Sequence, residues 1–460
     1  ASGTKATDGR LIVDDFTLQT QALDLRGDLA LAADGLPQRF ALKGTLGKDG
    51  TPVLLPLTTD LPTSVTHADI VLGFDAAEAE TWSADIAMTG FDRADLKLRE
   101  AKIKGSGVIN RADGKPAVSG AFDFAADGIA PSDPALAQAL GTGIRGTVGF
   151  RWREGYDALQ LTELALNGAD YSLDGTVNLS GLDNSLSLTG KGALRADDLS
   201  RFAALADRPL AGRADMRLGG SYALLGGMFD VTGQINGHAL RTGIPEADNL
   251  LSGSSTIDIS AIRDESGLRL RQLDLAAASL RAMVSGQLAS SGSDLSADVD
   301  FGDISVLGGP YSGALTGRAH FTGTPEAGTV IFDGTGTGLK VGIAEADALL
   351  RGASTISAEA GIAGETVDLR KLEVRAATLA ASARGKLALV GSDVSADLKF
   401  SDLSALGGSY RGALDASATF TGTPEAGKLT AKASGRNLGI GQAETDRLLA
   451  AVSGRLATEG

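Results

Sequence analysis

The sequence predicts an all-β fold: an elongated, strongly curved antiparallel sheet that forms a repeating β-groove, or β-taco, with a few short helices. Three observations predict this class. The eight residues FTGTPEAG stand at Phe321–Gly328 and return at Phe420–Gly427, 99 positions later. Apolar and polar residues alternate with period two, which is typical of strands with one buried face. Turn sequences rich in Pro and Gly separate these segments every 8–12 residues or so, as expected for antiparallel neighbours.

The repeat extends beyond those eight residues and predicts how the chain is organised. Leu295-Ser-Ala-Asp298 corresponds to Val394-Ser-Ala-Asp397 at the same offset. We expect one elongated β-groove fragment over 1–460, with units at 212–310, 311–409 and 410–460, the last one truncated, and more divergent units over 1–211. Each unit is expected to hold about five strands and one short helix, and such units stack into quasi-one-dimensional structures.

Period-two alternation places strands over 70–74, 82–88, 295–301, 315–321, 394–400 and 414–420. The TGTPEAG segments are predicted turns, in which Pro325 and Pro424 preset φ. Glycines at strand centres indicate tight bending or a close approach of backbone. These are Gly73, Gly120 and Gly317.

Short helices are predicted where acidic residues precede paired leucines. Three such segments recur in register: Gly243–Leu251, Gly342–Leu350 and Gly441–Leu449. Carboxylates in a first turn suit the positive end of the helix dipole, and Pro245 fits the first helical position. Ser132–Leu140 and Asp197–Leu205 are two further helical candidates.

The composition excludes several classes of function. The chain has 460 residues, a net charge of −15 and no cysteine, which excludes disulfides and thiolate metal sites. Its acidic balance repels nucleic acid, so no nucleic-acid partner is expected. No run reaches the roughly 18–20 apolar residues of a membrane span, and the first residues lack the order of a signal peptide.

Each predicted strand has one apolar face that must be hidden from water, at about 25 cal/mol per Å². The predicted helices are too few to cover it. A strongly curved sheet, whose edges face each other across an apolar trough, solves this problem, and a dry two-layer sandwich is the alternative. The trough is expected to hold acyl chains on the following lining residues: Ile70, Leu72, Phe74, Ile86, Met88, Phe122, Phe124, Phe150, Leu186, Leu188, Leu273, Leu275, Leu295, Val299, Phe301, Leu315, Phe321, Leu372, Val374, Val394, Leu398, Phe400, Leu414 and Phe420.

Several segments, in their order along the chain, resemble the TamB branch of the AsmA-like family of bacterial envelope proteins. They are Arg10–Leu18, Leu36–Leu42, Asp49–Leu57, Phe91–Leu98 and the repeated Glu-Ala-Asp-x-Leu-Leu. The resemblance covers most of the chain.

That resemblance implies a protein of the Gram-negative periplasm, anchored in the inner membrane by an N-terminal helix. Its hydrophobic groove is expected to carry phospholipid or another acyl lipid toward the outer membrane, as in the bridge-like lipid transfer proteins of eukaryotes. The resemblance also implies outer-membrane protein assembly with an Omp85-type barrel as partner. The anchor helix and the C-terminal region that meets the barrel are expected to lie outside this sequence.

Other chemistries find little support, and we expect no enzyme, no catalytic residue, no metal and no cofactor. The three histidines, His67, His238 and His320, are far apart, and His320 is expected to face outward. The acid pairs near 246, 345 and 444 are explained by helix starts. Asp294, Asp298, Asp300 and Asp303 lack a calcium-binding repeat. Gly334–Gly338 is interpreted as a turn or bulge and not as a nucleotide loop.

Two alternative functions stay open at the level of sequence. The first is a scaffold or chaperone for outer-membrane β-proteins that binds partners through exposed sheet edges. The second is a closed β-solenoid, acting as an adhesin or on polysaccharides.

Overall fold

The computed structural model describes residues 2–5, 7–47, 49–55, 61–181, 186–324, 326–389, 391–423 and 426–457. Strands dominate this part of the chain, which contains three short α-helices and three 3-10 helices besides. The predicted all-β class is confirmed. The chain divides into two compact units, residues 1–243 and 244–460.

The first unit is one antiparallel sheet. Its strands are β1 (Ser2–Lys5), β2 (Leu11–Gln19), β3 (Leu23–Leu31), β4 (Pro37–Leu46), β5 (Val53–Leu54), β6 (Thr63–Val65), β7 (His67–Asp75), β8 (Ala79–Arg93), β9 (Leu96–Ala112), β10 (Lys115–Asp127), β11 (Ala130–Pro131), β12 (Gly143–Arg153), β13 (Ala158–Asn167), β14 (Tyr171–Ser180), β15 (Ser187–Ala196), β16 (Ala211–Ala223) and β17 (Phe229–Arg241). Helix α1 (Pro134–Leu140) and the 3-10 helix η1 (Leu199–Phe202) interrupt them. Each long strand pairs with the next long strand along the chain. β4 therefore pairs with β7, and β10 pairs with β12, because the intervening strands β5, β6 and β11 are short and pair beside the main order of strands.

The second unit is also one antiparallel sheet, and each strand pairs with the next along the chain. Its strands are β18 (Ser254–Asp264), β19 (Gly267–Ala276), β20 (Leu280–Leu288), β21 (Ser293–Phe301), β22 (Ser312–Gly323), β23 (Ala327–Lys340), β24 (Ala353–Ala363), β25 (Thr366–Ala376), β26 (Leu379–Leu387), β27 (Ser392–Phe400), β28 (Tyr410–Gly422), β29 (Ala426–Ile440) and β30 (Ala443–Ala457). Its helices are α2 (Pro245–Leu250), α3 (Ala344–Leu349) and the 3-10 helices η2 (Ile304–Leu307) and η3 (Leu403–Leu406).

The elements of the second unit recur at the offset of the sequence repeat. Helix α3 starts 99 residues after α2, and β24 starts 99 residues after β18. One period therefore runs from a helix through four strands, a 3-10 helix and two more strands. It holds six strands where the sequence predicted five. The order α1, β12 to β15, η1, β16 and β17 in the first unit is the same.

β-Bulges recur with the same period. The register between β19 and β20 shifts between Leu270 and Leu273, and the register between β25 and β26 shifts between Leu369 and Leu372. An inserted residue bends its strand and increases the local twist. The bulges therefore bend the strands, a role that the sequence analysis gave to glycines alone.

The strand-centre glycines divide into two kinds. A Cβ at Gly120 would lie 2.5 Å from the carbonyl oxygen of Ser106, and one at Gly317 would lie 2.6 Å from the carbonyl oxygen of Asp333. Close backbone approach is thus confirmed at both positions. At Gly73 the nearest atom is Oγ of Ser83 at 3.5 Å, so close backbone approach does not explain this glycine. Pro325 and Pro424 of the predicted turns lie outside the described residues.

The helix predictions have mixed outcomes. α1, α2 and α3 are confirmed, and Pro245 opens α2 as expected. Within 197–205 only the 3-10 helix η1 forms, capped by Asp198. The helix predicted over the third repeat, Gly441–Leu449, is wrong, because 443–449 lie in β30. The leucines of α3 are buried with residues both before and after the helix, such as Leu339 and Leu379, whereas 443–457 pairs with β29.

Candidate functional site

The candidate site is the apolar face of each sheet. Directly opposed residues in antiparallel strands point to the same side, so the register defines rows of side chains that cross the sheet. In the second unit, one row crosses all thirteen strands from β18 to β30. It consists of Ile259, Leu273, Val284, Ala297, Ala319, Phe332, Ala358, Leu372, Ala383, Ala396, Ala418, Ala431 and Val452. We call it the alanine row.

The two rows beside the alanine row are also free of polar side chains. One runs from Ile257 on β18 to Ala450 on β30, and the other runs from Ala261 to Gly454. Every position in both is aliphatic, aromatic or glycine. The second unit therefore carries an uninterrupted apolar band three residues wide.

The first unit has the same construction. Rows starting at Val13, Phe16 and Leu18 on β2 end at Val231, Gly233 and Ile235 on β17. All three contain only apolar residues and glycine. Glycine is frequent here, and large side chains stand opposite it.

The register places the residues predicted to line a groove on these apolar faces. The ten of the first unit, from Ile70 to Leu188, share its face, with Leu186 just before β15. The fourteen of the second unit, from Leu273 to Phe420, share the other. Sequence reasoning missed Trp82, which lies in the same row as Phe74 and Phe150.

Most of the apolar face in the second unit is only half-buried. Ten apolar residues are buried in its described part, and eight of them lie on helices or at the strand ends beside these helices. The alanine row itself is half-buried, apart from the exposed Val452. No second sheet covers the face among the described residues, which argues against the dry sandwich.

A cluster of leucines closes one edge of this face, which we call the helix rim and define by α2, η2, α3, η3 and the strand ends beside them. Leu349 and Leu350 at the end of α3 are buried with Leu339 and Leu379. Ile304 of η2 and Leu406 of η3 pack against this cluster, as do the predicted lining residues Val374, Leu398 and Phe400. The Leu349-Leu350 pair of α3 thus seals this rim.

Aspartates fix the short helices of the rim. Asp303 Oδ1 accepts hydrogen bonds from the backbone N–H of Ser305 at 2.9 Å and of Gly313 at 3.1 Å. Asp402 accepts from Ser404 N–H at 2.9 Å, and Asp198 does the same for Ser200. These backbone donors hold the pKa of all three carboxyls below the ordinary value. Asp347 in α3 accepts from the N–H of Val341 at 2.7 Å.

The corresponding edge of the first unit is fixed by an arginine. Arg201 of η1 donates from Nη1 to the carbonyl oxygen of Ala139 at 2.8 Å and forms an ion pair with Asp170. Its guanidinium also lies 4.9 Å from the ring centre of Tyr171. Burial raises the pKa of the Tyr171 hydroxyl, which donates to the carbonyl oxygen of Leu140.

An aromatic cluster fills the opposite edge of the first unit. Its members are Phe40, Phe74, Trp82, Phe122 and Phe150. The rings of Trp82 and Phe122 are 5.2 Å apart, and those of Phe122 and Phe150 are stacked at 5.6 Å. Gly105, Gly107 and Gly120 provide the space, since a Cβ at any of them would lie within 2.6 Å of a ring. Trp82 Nε1 donates to the carbonyl oxygen of Ser119.

Charged side chains occupy the opposite, polar face of the second unit. Arg318 pairs with Asp298 at 3.0 Å, and His320 lies beside Ser296 and Asp294, so it faces this polar side as predicted. Two shallow cavities of 810 and 580 Å³ lie over this face at equivalent places in successive repeats. The acidic lining residues Asp274 and Asp298 recur as Glu373 and Asp397, but the basic ones do not: Arg281 corresponds to Ala380 and Arg318 to Ser417.

The structure assigns other roles to residues considered for metal or nucleotide binding. Within the described ranges, no group of three or more His, Asp or Glu is placed to hold a metal ion. Asp303 is a helix cap, and Glu444 of β30 forms an ion pair with Arg411. Gly334–Gly338 lies inside β23, with Gly338 at a positive φ beside a register shift, so it is a bulge.

No protein-family model matches this sequence, and no curated protein matches it. None of the helices in the described part of the chain is long and apolar enough to cross a membrane.

Proposed function

We propose that this chain binds acyl lipids, with glycerophospholipid as the principal class, and conducts them along its apolar faces. One observation carries the proposal: three adjacent rows without a polar side chain cross every strand from β18 to β30. Thirteen strands, about 4.8 Å apart, make a track of about 58 Å. A fatty acyl chain on this track meets no charge.

Partial exposure of the track supplies the binding energy. An alanine or leucine face that stays half-open to water gains about 0.8 kcal/mol for each methylene that is buried against it. Because neighbouring rows are chemically alike, this gain changes little from one strand to the next. A lipid can therefore shift along the track without crossing a high barrier.

The resemblance to the TamB branch of the AsmA-like family supplies the cellular setting of the proposal. In that setting the chain works in the periplasm of a Gram-negative bacterium and carries phospholipid between the inner and outer membranes. An Omp85-type barrel is the proposed protein partner. The antiparallel register is incompatible with a parallel β-solenoid, so that alternative is not retained.

A second candidate function is a scaffold for outer-membrane β-proteins. β30 pairs with β29 alone in the described part of the chain, and it exposes Leu449 by 87% and Val452 by 68%. An open edge strand with apolar side chains is suited to adding a strand from another protein. Proline at Ala451 blocks such pairing and leaves the other twelve strands of the track intact.

The lipid proposal is tested by placing one charge on either side of the same strand. Ala396→Glu puts a carboxylate in the alanine row, and Ser395→Glu puts the same group on the polar face. Mass spectrometry of lipid extracted from purified protein is expected to show a several-fold loss of phospholipid for Ala396→Glu only. Equal lipid content in the two variants, or phospholipid absent from the unsubstituted protein, contradicts the proposal.

A further inference from the structure

We infer that the turn between β16 and β17 is a membrane-contact site, which inserts into the interfacial layer of a lipid bilayer. We call residues 222–228, which form this turn and the strand end before it, the apolar tip. The contact is separate from the lipid binding proposed above. It concerns a surface of the first unit that touches a bilayer, and not a lipid that the sheet holds.

The apolar tip holds four large apolar side chains that the protein leaves in contact with water. Tyr222, Leu224 and Met228 are each 42% exposed, and Leu225 is 66% exposed. No other seven consecutive residues in the described part of the chain hold as many exposed large apolar side chains. Single exposed leucines are normal on a protein surface, whereas a group of this kind marks an interaction site.

The other fully described turns on this edge of the first unit carry carboxylates. Successive turns of an antiparallel sheet alternate between its two edges, so the turns β3–β4, β7–β8, β9–β10 and β12–β13 share an edge with the apolar tip. They contain Asp34, Glu78, Asp113 and Glu154, in that order. The apolar tip contains no charged residue. Its composition is therefore particular to this turn and is not a general property of the edge.

Hydrogen bonds within the protein close the backbone of the apolar tip. The N–H of Ala223 donates to the carbonyl oxygen of Met228 at 2.8 Å, and the N–H of Gly227 donates to that of Ala223 at 3.1 Å. The N–H of Leu224 donates to the carbonyl oxygen of Leu186, just before β15, at 3.0 Å. Backbone groups that are already paired remove part of the cost of leaving water for an apolar phase.

The shape and the side chains of the tip favour a bilayer as its partner. A convex turn encloses no cavity for a small ligand. Leu224 and Leu225 carry no hydrogen-bonding group that would orient a protein partner, whereas the fluid acyl region accepts them in any rotamer. Tyr222 stands at the base of the tip, and its ring and hydroxyl suit the boundary between membrane and water.

The surroundings of the tip agree with this partner and indicate the kind of bilayer. A row of Leu188, Tyr222 and Phe229 continues the apolar face of the first unit up to the tip. The net charge of the chain is −15, which disfavours an anionic membrane surface. Binding is therefore expected to come from apolar burial and to occur on a bilayer without net charge.

Flotation of the 460-residue chain with phosphatidylcholine vesicles tests this contact. Leu225→Asp puts a charge on the most exposed side chain of the tip, where the fold should not be disturbed. Leu205→Asp is the matched control, since Leu205 is 50% exposed in the same unit but stands alone. Several-fold less protein is expected to float with the vesicles for Leu225→Asp, and an unchanged amount for Leu205→Asp.

A dye on the tip provides a second measurement, because the chain contains no cysteine. An environment-sensitive dye on Leu225→Cys is expected to shift to the blue when vesicles are added, and to be quenched by nitroxides on their acyl chains. The same dye on Glu154→Cys, in the turn β12–β13, is expected to stay in water.

Three outcomes overturn the inference and leave a protein as the partner of the tip. They are absence of flotation of the unsubstituted chain, equal flotation of the two Asp variants, and a dye on Leu225→Cys that stays in water. The phospholipid that copurifies with Leu225→Asp is expected to match that of the unsubstituted chain, because the tip lies outside the rows of the sheet. A failure of the membrane contact is therefore distinguishable from a failure of the lipid proposal.

Discussion

The aromatic cluster of the first unit and the alanine row of the second unit lie on faces of the same construction, but they differ in how the space is filled. Trp82 and Phe74 are 7% and 5% exposed, because glycines on neighbouring strands admit their rings. Ala396 and Ala418 have small side chains, and their neighbours in the row, Ala383 and Ala431, are alanines too. Trp82 and Phe74 are the closed part of the aromatic cluster, whereas its other three rings and nearly all of the alanine row are half-buried.

This difference teaches that an uninterrupted apolar face does not by itself define a binding surface. Pairing a large ring with glycine closes the face, because ring and gap are complementary. Pairing alanine with alanine keeps the face apolar and leaves volume above it. The second unit is therefore the better place to look for a bound lipid, and the first unit contributes a packed anchor.

The strongest test of this contrast is the removal of the central ring. Trp82→Ala deletes a buried indole and its hydrogen bond to Ser119, so it is expected to lower the free energy of unfolding by about 3–5 kcal/mol. Trp152→Ala is the matched control, because that tryptophan is 36% exposed, and a clearly smaller loss is expected. Urea denaturation measures both. Similar losses would mean that the aromatic cluster is not a closed core.

A smaller effect is expected when a gap is filled. In Gly120→Ala the new methyl lies 2.3 Å from the indole, and such overpacking typically costs about 1–3 kcal/mol. Gly73→Ala has room for its methyl and should be close to neutral. Thermal unfolding compares the two variants. The complementarity of ring and glycine is disproved if Gly120→Ala is as stable as Gly73→Ala.

The alanine row is expected to tolerate a larger side chain, which destabilises the aromatic cluster. Ala418→Leu adds a larger side chain to a half-buried face, so the free energy of unfolding should change by less than about 1 kcal/mol. The added volume occupies the track, and less phospholipid should copurify. Destabilisation comparable to that of Gly120→Ala would show that this row is already full.

The smallest expected effect is on the stability of the protein at low pH. The pKa of Asp402 is lowered, chiefly by the Ser404 N–H, from an ordinary value of 3.8. Its contribution to stability is therefore complete above that value and is lost as the pH falls through the lower folded-state pKa. Asp402→Asn keeps a good cap without a titrating group. Its melting temperature should show a slightly weaker dependence on pH below 3.8 than the unsubstituted protein. An identical dependence would exclude Asp402 as a contributor.

Much of this architecture could be predicted from the sequence, because period-two alternation is a direct consequence of strand geometry. The register confirms one shared face for residues such as Leu295, Val299 and Phe301. The helices α2 and α3, which end in buried leucines, were predicted from their acidic residues and their spacing. The sequence therefore predicted correctly which residues share the apolar side of the sheet.

Other features depend on contacts between distant residues, which local patterns do not contain. The partnership of Trp82 with Gly107 and Gly120 joins three strands. The wrong prediction of the third helix has the same origin, since the burial of Leu349 in α3 depends on partners on other elements, such as Leu339 and Leu379. One signal was present and missed: Asp-Leu-Ser or Asp-Ile-Ser at 198, 303 and 402 is a recurring helix cap.

The strict 99-residue spacing of helices, bulges and caps in the second unit has a consequence for span. Each period adds six strands, or about 29 Å along the sheet, and leaves the cross-section as it was. Gain or loss of whole periods by gene duplication or deletion therefore changes the length of the sheet in fixed increments. Under the proposed function, a different distance between two membranes is matched by a change in the number of copies, and the contacts within each period stay the same.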